Sequence, residues 1–338
     1  MKTLKALLLV GATLWVATEA MAAPIPRQMV QINLSGGEYA GSKIPGRANF
    51  DYVLPNAAAL DMWKSKGILI ARVPIIWKRL QPVLNQPFNE AYASEIDAVF
   101  KLAAARGMSI LIDVHDYGTY SGKIIGAAEV PFAAYGNLMS RMAQRWAGNA
   151  GLHGYDIMNE PHDAADVNWV TAAQTAITQI RRYDTGKPIY VEGRSWASAE
   201  RWPSQSNTLL ALRDPSNNLI FSAHLYIDPD ASGTYRAPPT ASFDLDIGVK
   251  RATPFVEWLI RNNKRGHIGE FGVPNNDPRW TQAMDRMMAY LQANCVPLAY
   301  WAAGPWWGTY PLSIEPQAGV VKPQWTVLAK YVQTKNCP

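Results

Sequence analysis

Eight short apolar runs, each followed by a helix-like stretch or a long loop, recur along the chain at intervals of roughly 30 to 45 residues. The runs are Val30–Leu34, Gly67–Pro74, Met108–His115, the stretch from Tyr155 to Glu160, Pro188–Glu192, Leu219–Tyr226, Gly266–Phe271 and Pro297–Trp301. Helical periodicity marks Ala57–Ser65, Ala91–Ala105, Pro131–Ala147, Val170–Arg182, Ile247–Asn262, Trp280–Ala293 and Pro323–Gln333. Strands apolar on both faces belong in a parallel sheet covered by helices. Eight such units in one chain point to the α/β class and to a single (β/α)8 TIM barrel. A doubly wound open sheet is the alternative, but no G-x-G-x-x-G follows the first strand. No linker interrupts the pattern, so residues 23–338 are expected to form one domain.

The N-terminus reads differently. Lys2 and Lys5 precede the apolar run Ala6–Ala17, and Ala20-Met21-Ala22 has the small residues of a cleavage site. Residues 1–22 are therefore expected to be a secretory signal peptide, leaving a secreted or periplasmic protein. The run is shorter than a spanning helix requires, and no later segment is long and apolar enough to span a bilayer. The net charge of +5 is spread without a Lys/Arg block, which gives no support to a nucleic-acid partner. A monomer is expected. With export, the cysteines, Cys295 and Cys337, form a disulfide or remain as two buried thiols; sequence leaves both open. No CxxC and no clustered His ask for zinc, and no cofactor is implied.

The chemistry concentrates at strand ends. In Gly154–Asp163, GYDIMNEPHD, Pro161 cannot donate to a sheet ladder and biases Glu160 away from helix. Glu160 thus stands at the mouth of a buried strand, where a carboxylate is costly unless paired or protonated. In a barrel the other strand C-termini share that mouth. They supply Arg72, His115 with Asp116, Asn159 beside Glu160, Glu192, His224 with Tyr226, Glu270 and Trp301. Two glutamates facing across an aromatic mouth suit glycoside hydrolysis, one as nucleophile and one as acid/base. Arg72 and the Tyr226 hydroxyl would keep Glu270 ionised, and Asn159 would reach the sugar 2-hydroxyl. Trp301 would stack under the ring.

These residues resemble those of glycoside hydrolase family 5, the retaining (β/α)8 β-glycanases. The resemblance runs from about Gln31 to Trp325, and the strings MNEPHD, RVPIIWKRLQP and IGEFGVPN are similar to those of its secreted microbial cellulases. The family pattern is met at Arg72, His115, Asn159, Glu160, His224, Tyr226, Glu270 and Trp301. The resemblance implies Glu160 as acid/base, Glu270 as nucleophile and β-1,4-glucan as substrate. One departure is His115-Asp116, where many members have His-Asn.

Mannan or xyloglucan would use the same machinery, and a non-catalytic carbohydrate-binding protein would keep the aromatics and lose a Glu. An ester hydrolase would need a G-x-S-x-G elbow, which the chain lacks. Trp196, Trp202, Trp306 and Trp307 lie on loops after strands five and eight, where each either lines a sugar subsite or packs into the fold. Tyr117 and Tyr120 are further loop candidates. His153, His162 and His267 read as structural, Glu192 as a hydrogen-bonding support, and Glu129, Asp166 and Glu257 as solvated charges.

Overall fold

The protein, described by a computed structural model over residues 25–337, closes into an eight-stranded all-parallel barrel. The expected signal peptide, residues 1–22, lies outside the described residues. The barrel strands are β1 (Val30–Leu34), β2 (Ile70–Ile75), β3 (Ser109–Val114), β4 (Leu152–Asp156), β5 (Ile189–Glu192), β6 (Leu219–His224), β7 (Gly266–Phe271) and β8 (Leu298–Ala303). Each pairs with its sequence neighbours, and β8 closes on β1 through Leu298↔Val30 and Tyr300↔Ile32. This is the (β/α)8 barrel that the spacing of apolar runs implies.

Local rules place the helices. Asn56 and Asn89 cap Ala57–Ser65 and Glu90–Ala104, their side chains accepting from the amides of Ala59 and Tyr92. Asp277 does the same for Pro278–Ala293, with Pro278 in the first turn, where its missing N–H costs nothing. Chain reversal after Glu90–Ala104 uses Gly107 at φ 67°, a left-handed position that suits glycine. Phe132–Trp146 packs on Trp169–Ile180, and Gly136 makes the approach close. A Cβ there would stand 3.0 Å from Thr175 Cγ2 and 3.1 Å from Gln179 Cγ.

The aromatic load is mostly core. Trp63, Trp77, Trp146, Trp169, Trp202, Trp258 and Trp280 are fully buried between strands and helices. Trp202 therefore packs into the fold, against Phe255 and Trp258, rather than lining a sugar subsite. Tyr120 is likewise core, set against Trp77 and donating to the carbonyls of Gln81 and Pro82.

Three boundaries differ from the pattern. β4 ends at Asp156, although the Ile157 amide still donates to Tyr190 O at 3.2 Å and the Asn159 amide to Val114 O at 2.8 Å. β6 ends at His224, with the Leu225 amide still donating to Glu270 O at 2.9 Å. The closing helix spans only Pro323–Leu328. Beyond it, Thr334–Cys337 pairs antiparallel with Ile25–Gln28 across the floor of the barrel, and Cys337 is bonded to Cys295. Residues 329–333, expected to continue the helix, are turn and irregular backbone instead, and Gln333 O accepts from the Met29 amide at 3.3 Å.

Candidate active site

Strand alternation sets the inward residues. Asp113 and His115, two apart, share a face, as do Arg72 and Pro74 on β2. Arg72 is fully buried and acts as the hub. Its guanidinium donates to Asn33 Oδ1 on β1 (3.0 Å), Asp156 Oδ2 on β4 (2.8 Å) and Glu192 Oε1 on β5 (2.9 Å). It also donates to Asn159 Oδ1 (2.8 Å) and Glu270 Oε1 on β7 (3.0 Å), with Asp113 Oδ2 3.1 Å away. A single buried cation on β2 thus ties together residues of five other strands, β1, β3, β4, β5 and β7. The fork of five donors is what a Lys in its place would lack.

The two glutamates flank His224. His224 Nδ1 is 2.7 Å from Glu160 Oε1 and 3.7 Å from Glu270 Oε2, while Nε2 is 3.0 Å from Glu192 Oε1. Oxygens of Glu160 and Glu270 and a ring nitrogen of His224 lie within 4.8 Å of one another. Both ring nitrogens are engaged by carboxylates, so the ring is held as a donor on both sides and presents no lone pair to a cation. Tyr226 donates its hydroxyl to Glu270 Oε2 at 2.8 Å. Glu192 accepts from the Glu160 amide at 2.7 Å and so fixes a backbone at φ 42°, a left-handed value for a non-glycine residue.

On the other wall, His115 donates from Nδ1 to Asp113 Oδ2 at 2.7 Å and meets the Tyr117 hydroxyl at 3.2 Å through Nε2. Its ring lies nearly parallel to Trp301, with centroids 5.6 Å apart and planes 12° apart. Trp307 meets Trp301 edge-on at 5.8 Å and stacks on Tyr310 at 4.3 Å. Trp306, 40% exposed, stacks on Tyr39 at 6.0 Å. Trp196, 41% exposed, lies face to face with His162 at 4.4 Å. A cavity of about 310 Å³ is lined by Glu160, Trp196, His224, Tyr226, Arg201 and Asp230 among others.

Charge is redistributed by burial and pairing. Burial opposes the His224 imidazolium, but Glu192, Glu270 and Glu160 outweigh it and raise it well above the ordinary 6.5. His115 is raised to about 9, its burial outweighed chiefly by Asp113. Burial also works against Glu192, yet His224, Arg72 and the Glu160 amide bring it down to about 2. Asp156 moves the other way, since burial and the charge of Glu192 exceed what Arg72 returns, and its carboxyl is raised above the ordinary aspartate range. Glu270 is raised by burial and by Glu160, against the opposing pull of His224, Arg72 and His115.

Of the ten strand-end residues named from the sequence, the mouth brings together nine, Arg72, His115, Asn159, Glu160, Glu192, His224, Tyr226, Glu270 and Trp301, with Trp196 and Trp306 on its rim. Asp116 is turned away from the cleft. Its Oδ2 accepts from the Trp77 amide at 2.6 Å, and burial pushes the carboxyl up to about 7. Asp166 is a correction: it is 9% exposed, and both its oxygens accept from the Ser195 amide. His162, read as structural, borders the cleft through its stack on Trp196. Asn33, Asp113, Asp156, Tyr39 and Tyr310 were not singled out by sequence. A lone Asp inside each of the apolar runs SILIDVH and GYDIM was the available signal for two of them.

Comparison with known proteins agrees with this geometry. The family-wide sequence model "Cellulase (glycosyl hydrolase family 5)" matches residues 32–306. A probable endo-β-1,4-glucanase B of Neosartorya fischeri is 33% identical over 312 residues, covering 90% of this chain and 92% of that protein. The crystal structure of Pseudomonas stutzeri endoglucanase Cel5A in complex with cellobiose superposes with TM-score 0.87 at 40% identity, covering 92% of this chain and 95% of that one. XacCel5A in complex with cellopentaose gives TM-score 0.84 at 35% identity, covering 90% and 99%. The chain is a glycoside hydrolase and belongs to the cellulase family, glycosyl hydrolase family 5.

Proposed function

We propose that the protein is a retaining endo-β-1,4-glucanase that cleaves internal bonds of β-glucan by double displacement, with Glu270 as nucleophile and Glu160 as acid/base. The observation that carries this reading is the spacing of the two carboxylates, whose nearest oxygens lie within 4.8 Å. Retaining enzymes hold the pair about 5–5.5 Å apart, whereas inverting ones need about 6.5–9.5 Å to seat a water. The relatives named above that bind cellobiose and cellopentaose support a cello-oligosaccharide substrate.

The steps follow from the partners of each group. Glu270, aligned by Arg72 and Tyr226, attacks the anomeric carbon and forms a glycosyl ester. Glu160 gives its proton to the leaving oxygen, and the carboxylate left behind accepts from His224 Nδ1 at 2.7 Å. Esterification removes the charge of Glu270, which makes Glu160 a better match for its second task of taking a proton from water. Asn159 Nδ2 is buried and has no hydrogen-bond partner among the described residues, and it is the donor assigned to the sugar 2-hydroxyl. Trp301 offers its face to the ring in the adjoining site, and Trp306 and Trp196 extend an aromatic surface to either side. Export by the expected signal peptide would place this activity outside the cytoplasm, on a monomer acting without cofactor.

The reading is tested by following hydrolysis of cellopentaose by proton NMR. The β-anomer is expected first, with mutarotation later; the α-anomer first would overturn retention.

A further inference from the structure

Ser195, Trp196 and Ala197 have φ of 56°, 57° and 51°, three successive non-glycine residues in the left-handed region. Crowding of Cβ against the backbone disfavours each, and such a run persists only where its surroundings hold it. Four contacts do so. Asp166 Oδ1 and Oδ2 both accept from the Ser195 amide at 3.0 Å, and the Trp196 amide donates to Pro161 O at 3.2 Å. Arg201 donates to Ser195 O at 3.2 Å, and the Trp196 indole lies 4.4 Å from His162 with planes 7° apart. The Ser195 amide is the only hydrogen-bond partner of the Asp166 carboxylate among the described residues. A buried carboxylate devoted to one amide is an expensive way to close a loop unless the conformation of that loop matters.

What the loop carries is Trp196, lining the same cavity as Glu160. Asp166 sits in the short turn Asp163–Asn168, directly after Glu160-Pro161-His162, so one segment bears both the carboxyl of Glu160 and the group that fixes the wall beside it. We propose that Asp166 is a positioning residue for the leaving-group side of the cleft: it locks the left-handed turn so that Trp196, backed by His162, meets the departing sugars at a fixed orientation to Glu160. The proposal rests on the reading of Glu160 as acid/base. Asp166 itself touches no substrate.

The test compares two substrates. Cellopentaose places sugars against Trp196, whereas the fluoride of β-cellobiosyl fluoride is too small to reach it. Asp166→Ala is expected to lower kcat/KM for cellopentaose about tenfold, chiefly through KM, and to change that for the fluoride by less than about twofold. Asp166→Asn keeps one acceptor for the Ser195 amide and is expected to fall between. On a Trp196→Ala background, Asp166→Ala is expected to add nothing for cellopentaose. Equal losses on both substrates, no loss on either, or a full Asp166→Ala effect without Trp196 would each overturn the proposal. If Asp166→Ala does not fold, Asp166→Asn on both backgrounds decides with the same signs. Failure of the wild-type protein to release β-anomeric product from the fluoride would instead overturn the parent reading.

Discussion

Arg72 donates to Glu270 at 3.0 Å and His224 Nδ1 lies 2.7 Å from Glu160, so the residue-level expectations turn on these two cations and the glutamates they hold. Glu160→Gln and Glu270→Gln should each lower kcat on cellopentaose by about three orders of magnitude or more with the fold intact by circular dichroism. A mild loss in either would remove it from its assigned role. Glu270→Ala supplied with azide should recover turnover with an inverted product if Glu270 is the nucleophile. The acid limb of kcat/KM has a definite sign. Glu270 must be ionised to attack, and its carboxyl is raised by burial, so the limb should lie above the ordinary glutamate value of 4.5. Tyr226→Phe removes a 2.8 Å donor to the ionised form, which should move that limb to still higher pH. An unmoved or lowered limb would contradict the role given to the tyrosine. The strand-end residues were legible in the sequence because a polar residue closing an apolar run is a local signal. Asp166 was not, since its burial depends on Ser195, 29 positions away.

At the scale of elements, the barrel strands were legible because burial on both faces leaves an unbroken apolar run. The left-handed turn at Ser195–Ala197 was not legible, because Arg-Ser-Trp-Ala carries no glycine to announce it. The tail strand was not legible for a similar reason: Thr334–Cys337 finds its partner in Ile25–Gln28, at the opposite end of the described residues, while the helix before it stops at Leu328 rather than Gln333. That strap and the bridge from Cys295 to Cys337 close a loop with a sequence separation of 42. In the chain-entropy view, Cys295→Ser/Cys337→Ser should cost about 4 kcal/mol of stability and leave kcat on cellopentaose unchanged, since the strap lies at the floor of the barrel. Denaturant unfolding checks the first part, and a changed kcat would show that floor and mouth are coupled. Trp77, fully buried against Tyr120 and Tyr135, is a stronger point of failure. Trp77→Ala should cost about 3–5 kcal/mol and loosen the loop after β3.

For the whole molecule, three of the buried groups with shifted pKa define pH windows for stability. Glu192, brought down to about 2, contributes stability that is present above the ordinary 4.5 and lost as pH falls toward 2. His115, raised to about 9, contributes stability present below 6.5 and lost as pH rises through 9. Asp116, raised to about 7, also favours the folded state less as pH climbs from 3.8 to 7. The Tm by calorimetry should therefore be higher at pH 5 than at pH 3 or pH 9.5; a maximum at alkaline pH would contradict these assignments. Substrate range is likewise a property of the whole cleft. Carboxymethyl cellulose and barley β-glucan should lose viscosity well before reducing ends accumulate. Activity confined to mannan or xyloglucan would keep the barrel and replace the substrate. The central claim, a covalent intermediate on Glu270, is met most directly by trapping. Incubation with an activated 2-deoxy-2-fluoro-β-cellobioside followed by peptide mass spectrometry should place the sugar on the peptide containing Glu270. A label on Glu160, or inactivation without any label, would contradict the account.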